Sequence, residues 1–153
     1  MLEPHLIALD WGTTSLRAYL LDARGAVIAS RDAAHGIMRL PDAGFAAAFD
    51  DVTRGWRDSG LPVIAAGMVG SAQGWVRAPY VPCPAGVDDL ARALTALPVR
   101  RGHVVAGLTS AADPPDVMRG EETQIVGALA LRPALAERAT LVLPGTHSKW
   151  ARV

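Results

Sequence analysis

The feature that most restricts the fold is a change of hydrophobic period after the first thirty or so residues. Residues 6–10 are short and apolar. Residues 15–22 alternate, with Leu16, Ala18 and Leu20 on one face and Arg17, Tyr19 and Leu21 on the other. Period two sends successive side chains to opposite faces of a strand. Trp11-Gly12-Thr13-Thr14 between them suits a tight antiparallel hairpin, and Ala23-Arg24-Gly25 turns the chain into a third strand over 26–31. The pattern then becomes helical. Asp42 can N-cap a helix in which Phe45, Phe49, Val52 and Trp56 form one apolar stripe, ended by Gly60 and Pro62. A buried strand follows over 62–67. Residues 70–86, with Pro79, Pro82 and Pro84, read as a long ordered loop, a length that in compact domains often carries function. Val87, Leu90, Leu94 and Leu97 space a second helix, and 103–108 form another buried strand. Asp116 or Arg119 opens a third helix with Ile125, Ala128 and Leu129 inward and Pro133 closing it, and a strand begins at 139–143. The order βββαβαβα, then one more strand, predicts a layered α/β domain whose opening meander makes the sheet mixed.

Composition excludes several classes. Half of the 153 residues are hydrophobic, too many for an intrinsically disordered chain. Fifteen basic and fifteen acidic residues give no net charge and no basic run, so nucleic acid is not an expected partner. Cys83 is the single cysteine, so no internal disulfide is available and a reducing compartment is expected. The first five residues carry no basic signal region, and Asp10 interrupts the apolar run behind them. The charge-free stretch 61–76 contains Pro62 and three glycines and falls short of the ~20 apolar residues of a membrane span. A cytoplasmic protein with no membrane partner is expected. His5, His35, His103 and His147 show no metal-ligand spacing with one another or with Cys83.

Four segments can carry chemistry. In Asp10-Trp11-Gly12-Thr13-Thr14-Ser15 an aspartate ends a buried strand and meets a glycine and three hydroxyl residues. Gly12 lets a ligand approach the backbone, the turn N–H groups and hydroxyls can surround phosphate oxygens, and Asp10 can hold Mg²⁺ directly or through water. The same residues also suit an ordinary hairpin turn. Residues 67–75, with Ser71, Gln73 and Trp75 among three glycines, match neither the dinucleotide fingerprint nor the hydrolase elbow, and a plain strand-to-loop exit stays open. Asp116, Arg119, Glu121 and Glu122 form a polar cluster near a helix start, fit either for capping or for binding hydroxyls and supplying a carboxylate base. In Gly145-Thr146-His147-Ser148-Lys149 a strand again runs into a glycine-hydroxyl turn, without the P-loop pattern. Lys149, the only lysine, stands where a point charge can face an anion. Trp11, Trp75 and Trp150 each adjoin one of these segments and can line a pocket or simply pack.

Taken in order, DWGTTSLRAYLLD, GMVGSAQGWVRAPYVPCPAG, DVMRGEETQIVGAL and LPGTHSKW resemble the 2-dehydro-3-deoxygalactonokinase family of sugar-acid kinases, within the acetate-kinase/sugar-kinase/Hsp70/actin superfamily. The resemblance implies a ribonuclease-H-like mixed sheet flanked by helices, the first lobe of an actin-like ATPase fold, over 1–138. Residues 139–153 are then the first strand and phosphate turn of a second lobe. It implies phosphorylation of 2-dehydro-3-deoxy-D-galactonate at its 6-hydroxyl, with ATP and Mg²⁺ as cofactors. Gly12, Thr13 and Thr14 would form the first phosphate motif, and Gly145, Thr146, His147 and Ser148 the second. Asp10 would serve Mg²⁺ through water, Glu121 would be the base with Asp116 or Glu122 behind it, and Arg77 and Arg119 would meet the substrate carboxylate beside Ser71, Gln73 and Trp75. The family's adenosine-binding segment has no counterpart here, so the isolated chain is expected to be poorly active. Two other readings are a related sugar kinase with another acceptor, and a non-catalytic unit that binds sugar acid or dimerises through bare apolar surface.

Overall fold

The computed structural model describes residues 3–41, 44–145 and 147–153; the expected N-cap Asp42 and the phosphate-turn residue Thr146 lie outside them. The strands are β1 Pro4–Trp11, β2 Leu16–Asp22, β3 Val27–Ala33, β4 Val63–Ala66, β5 Tyr80–Pro82, β6 Thr95–Ala96, β7 Gly102–Val104, β8 Gly107–Ser110, β9 Asp116–Met118, β10 Thr140–Leu143 and β11 Lys149–Arg152. The helices are α1 Gly44–Val52, α2 Val87–Arg92 and α3 Glu121–Leu131. The six-stranded sheet runs β3-β2-β1-β4-β7-β6. The opening meander is antiparallel, β1, β4 and β7 are parallel, and β6 returns antiparallel. β5-β8-β9 form a second sheet and β10-β11 a hairpin. The fold is therefore mixed α/β with a mixed principal sheet. Among the described residues no helix is long and apolar enough to cross a membrane.

The alternation in β1 and β2 becomes the core. Ile7, Leu9, Trp11, Leu16, Ala18 and Leu20 are buried, and Phe49 and Val52 of α1 join them. One packing unit is aromatic. Trp75 stacks on Phe45 at 6.1 Å between ring centroids, meets Trp11 edge-on at 5.8 Å and touches Phe49 at 5.9 Å. Such pairs add about 0.5–1.5 kcal/mol each beyond area burial.

Several elements differ from expectation. The first helix stops at Val52, not near Gly60. Buried Thr53 turns its hydroxyl back onto the Phe49 carbonyl, and Arg31 of β3 donates to the carbonyls of Val52 and Arg54 while covering the Trp56 ring at 4.1 Å. A cation satisfying the open carbonyls ends the helix there. The second helix stops at Arg92, because residues 95–96 extend to complete the edge of β7, which leaves Leu94 exposed and buries Leu97. Pro98 disfavours helix at the residue before it. The apolar run 103–108 divides between two sheets: β7 pairs with β4, and β8 pairs with β5. β5 itself lies inside the stretch expected to be loop. Neither Asp116 nor Arg119 opens α3. Residues 116–118 pair with β8, and Gly120 at φ +113° is not helical, so the helix begins at Glu121. Its one buried residue is Glu122, while Ile125, Ala128 and Leu129 are half-buried and Val126 packs on the small core of Leu90, Val105 and Ala106.

Candidate active site

Ligands of open α/β sheets bind beyond the carboxyl ends of the parallel strands. Here those ends are Asp10–Trp11 of β1 and Ala66 of β4, paired through Asp10 and Ala66. The hairpin turn leaving β1 is held by its own Gly12 N–H, which donates to the Ser15 carbonyl at 3.0 Å. Residues beyond β3 anchor it from outside: Ile37 N–H donates to Gly12 O at 3.0 Å and Met38 N–H to Thr13 O at 3.1 Å. Thr13 and Thr14 remain exposed at the tip. Asp10 has a half-exposed carboxylate whose ion-pair partner is Arg17, opposite it on β2, at 3.4 Å. A shallow depression of about 390 Å³ beside the turn is lined by Thr14, Ser15, Asp32 and Arg39 among others.

Two glycines join this turn to the second and third segments. Gly67 sits at φ +100°, and a Cβ there would stand 2.7 Å from the Trp11 carbonyl oxygen. Gly120 sits at φ +113°, and its Cβ would stand 3.2 Å from Gly67 Cα. Only glycine supplies these conformations cheaply and lets three backbones stack. The stack Trp11–Gly67–Gly120 places Asp10 one residue before one end and Glu121 one residue after the other. Sequence inspection did not single out these contacts, which join positions far apart in the chain.

The carboxylates that open α3 are fastened locally. Arg119 N–H donates to Glu121 Oε2 at 3.0 Å, and Gly120 N–H donates to both Glu122 oxygens at 2.9 and 2.7 Å. Burial pushes the Glu122 carboxyl above the usual range, against the Gly120 N–H bonds. Glu121 stays half-exposed. Asp116 is bonded elsewhere. Its carboxylate bonds Lys149 Nζ at 2.5 Å, and that hydrogen bond, with the Val117 N–H behind it, holds the carboxyl below the usual range. The single lysine, expected to face an anion, therefore ties the third segment to the fourth, where Gly145, His147 and Ser148 are exposed.

The remaining expected site residues divide by burial. Ser71 is buried with its hydroxyl accepting from Gln73 N–H, whereas Gln73 and Arg77 are exposed. Trp75 has its ring in the aromatic cluster, so packing accounts for it. Trp11 likewise is fully buried and donates its indole N–H to His35 O at 2.7 Å, while Trp150 is exposed. Arg119 is buried: Nη2 donates to the carbonyls of Ala78 and Pro79, Nε to the Tyr80 hydroxyl, and the guanidinium lies 4.2 Å from the Tyr80 ring centre. No sequence signal links positions 119 and 80. A cavity of about 360 Å³ at the amino end of β4 is lined by Phe49, Arg57, Val63, Trp75, Pro98 and Arg100 among others, so of the expected site residues Trp75 stands on its wall.

Among the described residues no three His, Cys, Asp or Glu side chains gather as a metal cage. A single half-exposed carboxylate beside exposed hydroxyls fits a Mg²⁺ ion that keeps most of its water and takes phosphate oxygens.

A family model described as 2-keto-3-deoxy-galactonokinase matches residues 10–153. The 2-dehydro-3-deoxygalactonokinase of Escherichia coli (strain K12) is 41% identical over 146 residues, covering 95% of this chain and 48% of that protein. The "Probable 2-dehydro-3-deoxygalactonokinase DgoK1" of Rhizobium meliloti (strain 1021) is 40% identical, covering 97% of this chain and 49% of that one. The "Crystal structure of a putative 2-dehydro-3-deoxygalactonokinase protein from Sinorhizobium meliloti" superposes with a TM-score of 0.85 at 38% identity, over 97% of this chain and 50% of that one. The chain thus spans about half the length of the relatives it matches.

Proposed function

The chain belongs to the 2-keto-3-deoxy-galactonokinase family, and on that premise we propose that it forms the phosphate- and sugar-acid-binding lobe of an ATP-dependent kinase acting on the 6-hydroxyl of 2-dehydro-3-deoxy-D-galactonate. The observation that carries this reading is the convergence of the glycine-rich segments at the carboxyl ends of the parallel strands, through the Trp11–Gly67–Gly120 stack. The strand order β3-β2-β1-β4-β7 supports a ribonuclease-H-like sheet, as in the first lobe of actin-like ATPases. In this reading residues 139–153, whose hairpin is the separate sheet β10-β11, open a second lobe that supplies the adenosine site.

Phosphoryl transfer asks the protein mainly for positioning and charge neutralisation. The exposed Thr13 and Thr14 tip receives phosphate oxygens as the first phosphate motif, and Gly145, Thr146, His147 and Ser148 supply the second. Asp10 would hold Mg²⁺ through water, and the ion would supply charge neutralisation at the transferring phosphate. Glu121 stands across the glycine stack from Asp10 and orients or deprotonates the acceptor hydroxyl; Glu122, fixed to Gly120 N–H, holds the helix start in place. Exposed Arg77 is the available guanidinium for the substrate carboxylate, with Gln73 and Ser71 on the same loop. Asp116 and Lys149 brace the polar segment before α3 against the second phosphate turn.

Fusing the chain to the remaining half of the Escherichia coli relative gives a direct test with a panel of sugar acids. Turnover is expected for 2-dehydro-3-deoxy-D-galactonate over D-galactonate and D-galactose. Glu121→Gln should lower kcat by about 10²–10⁴-fold, the range of a general base, with little change in KM. Near-normal kcat in that variant removes Glu121 as the base, and equal turnover of D-galactose refutes the sugar-acid site.

A further inference from the structure

We propose that Arg119 is a positioning residue that couples the shape of the 71–80 segment to the aim of Glu121, an assignment that rests on the kinase reading above. Arg119 is 9% exposed, the one arginine among the described residues that is buried. A buried guanidinium is costly unless its donors are met. Among the described residues it makes no salt bridge; its charge is met by the carbonyls of Ala78 at 3.0 Å and Pro79 at 3.2 Å and by the hydroxyl and ring face of Tyr80. Its other terminal nitrogen, Nη1, is buried without a hydrogen-bond partner and lies against Gly70, where a Cβ would come within 2.9 Å of it. A methionine would fill that volume without the desolvation cost, so space-filling alone does not account for the side chain.

The geometry accounts for it as a link. The guanidinium grips residues 78–80, the end of the segment that carries Ser71, Gln73 and Arg77. The N–H of the same residue donates to Glu121 Oε2 at 3.0 Å, one step from the Gly120 contact with Gly67. A displacement of residues 78–80 therefore reaches the Glu121 carboxylate through a single residue. The segment's internal ladder, Val76 N–H to Val69 O and Ala78 N–H to Gly70 O, ends where Arg119 holds it, and Gly107 N–H bonds Pro79 O on its far side.

The test uses the 153-residue chain, its Arg119→Lys and Arg119→Ala variants, hydrogen exchange, and calorimetric titration with 2-dehydro-3-deoxy-D-galactonate. Arg119→Lys keeps the charge and the fold but cannot reach both carbonyls and Tyr80 together. It should exchange faster at Val76, Ala78 and Gly107, retain slow exchange in β1 and β4, and bind the sugar acid about tenfold or more weakly, since small misplacements cost that much. Methylguanidinium should restore part of the affinity of Arg119→Ala and add nothing to wild type. Wild-type affinity in Arg119→Lys, or faster exchange with undiminished affinity, overturns the assignment and leaves the kinase reading standing. Failure of the wild-type chain to bind the sugar acid at all overturns both.

Discussion

Two glycine-to-alanine substitutions should change stability in opposite directions, and the difference follows from local geometry. Gly67 has φ +100° and ψ −156°, a region populated essentially by glycine, where a side chain costs on the order of 1–3 kcal/mol. The added Cβ would also lie 2.7 Å from the Trp11 carbonyl oxygen, a backbone atom fixed in the central sheet, and relieving such overpacking costs about 1–3 kcal/mol more. Gly67→Ala is therefore expected to destabilise by about 3 kcal/mol, which for a domain of this size lowers Tm by about 6–12 °C. Gly127 lies inside α3 with nothing within 4 Å of its Cβ position. Gly127→Ala should gain about 1 kcal/mol of helix propensity and raise Tm by about 2–4 °C. Thermal denaturation followed by far-ultraviolet circular dichroism measures both. A Gly67→Ala protein that melts within about 2 °C of wild type would falsify the stacked-backbone description of the site.

Three further outcomes follow from the side chains. Lys149→Met should raise the Asp116 carboxyl toward its ordinary value, because the Lys149 hydrogen bond is the main cause of its depression; carboxyl-carbon NMR titration reads this directly, and an unmoved titration refutes the pairing. The sign for stability is that the wild-type contribution is present above the unfolded value of about 3.9 and fades as pH falls through the lower folded value. Glu122 runs the other way: its folded carboxyl is raised by burial, so stability should fall as pH rises from about 4.3 through that higher value. Denaturant titrations across this window should show the slope in wild type and a flatter profile in Glu122→Gln. Trp75→Ala should cost about 3 kcal/mol, the lower end for a tryptophan that is partly exposed, and Trp75→Phe much less, because the ring serves the Phe45 and Trp11 packing.

How much was legible in the chain depended on whether the information was local. β1, β2 and β3 follow from a short apolar run, an alternating stretch and two turns, and their edges shift by only a residue or two. The leucines at 90, 94 and 97 carry helical spacing, yet Leu97 enters the core from an extended segment, a result that Pro98 foreshadows and the spacing conceals. The apolar run at 103–108 cannot show by itself that its two halves pair with different sheets, because both are buried. The candidate site was legible as glycine-hydroxyl turns at strand ends. Its assembly was not, because Gly67 meets Trp11 and Gly120 through backbone contacts that leave no side-chain pattern. Arg119 was read as a ligand of the substrate carboxylate, and its enclosure escaped for a related reason. Arginine is expected at the surface, so only the structure reveals a guanidinium enclosed by Ala78, Pro79 and Tyr80. Trp75 adjoined a functional segment in sequence while its ring belongs to the core.

The most direct measurement is amide NMR of the ¹⁵N-labelled chain titrated with 2-dehydro-3-deoxy-D-galactonate. Saturable shifts are expected at Gly12 to Ser15, at Gln73 and Arg77 and at Gly120 to Thr123, on the segments joined by the Gly67 stack. Shifts confined to Phe49, Arg57 and Val99, around the cavity at the opposite end of the strands, would contradict the placement of the sugar-acid site.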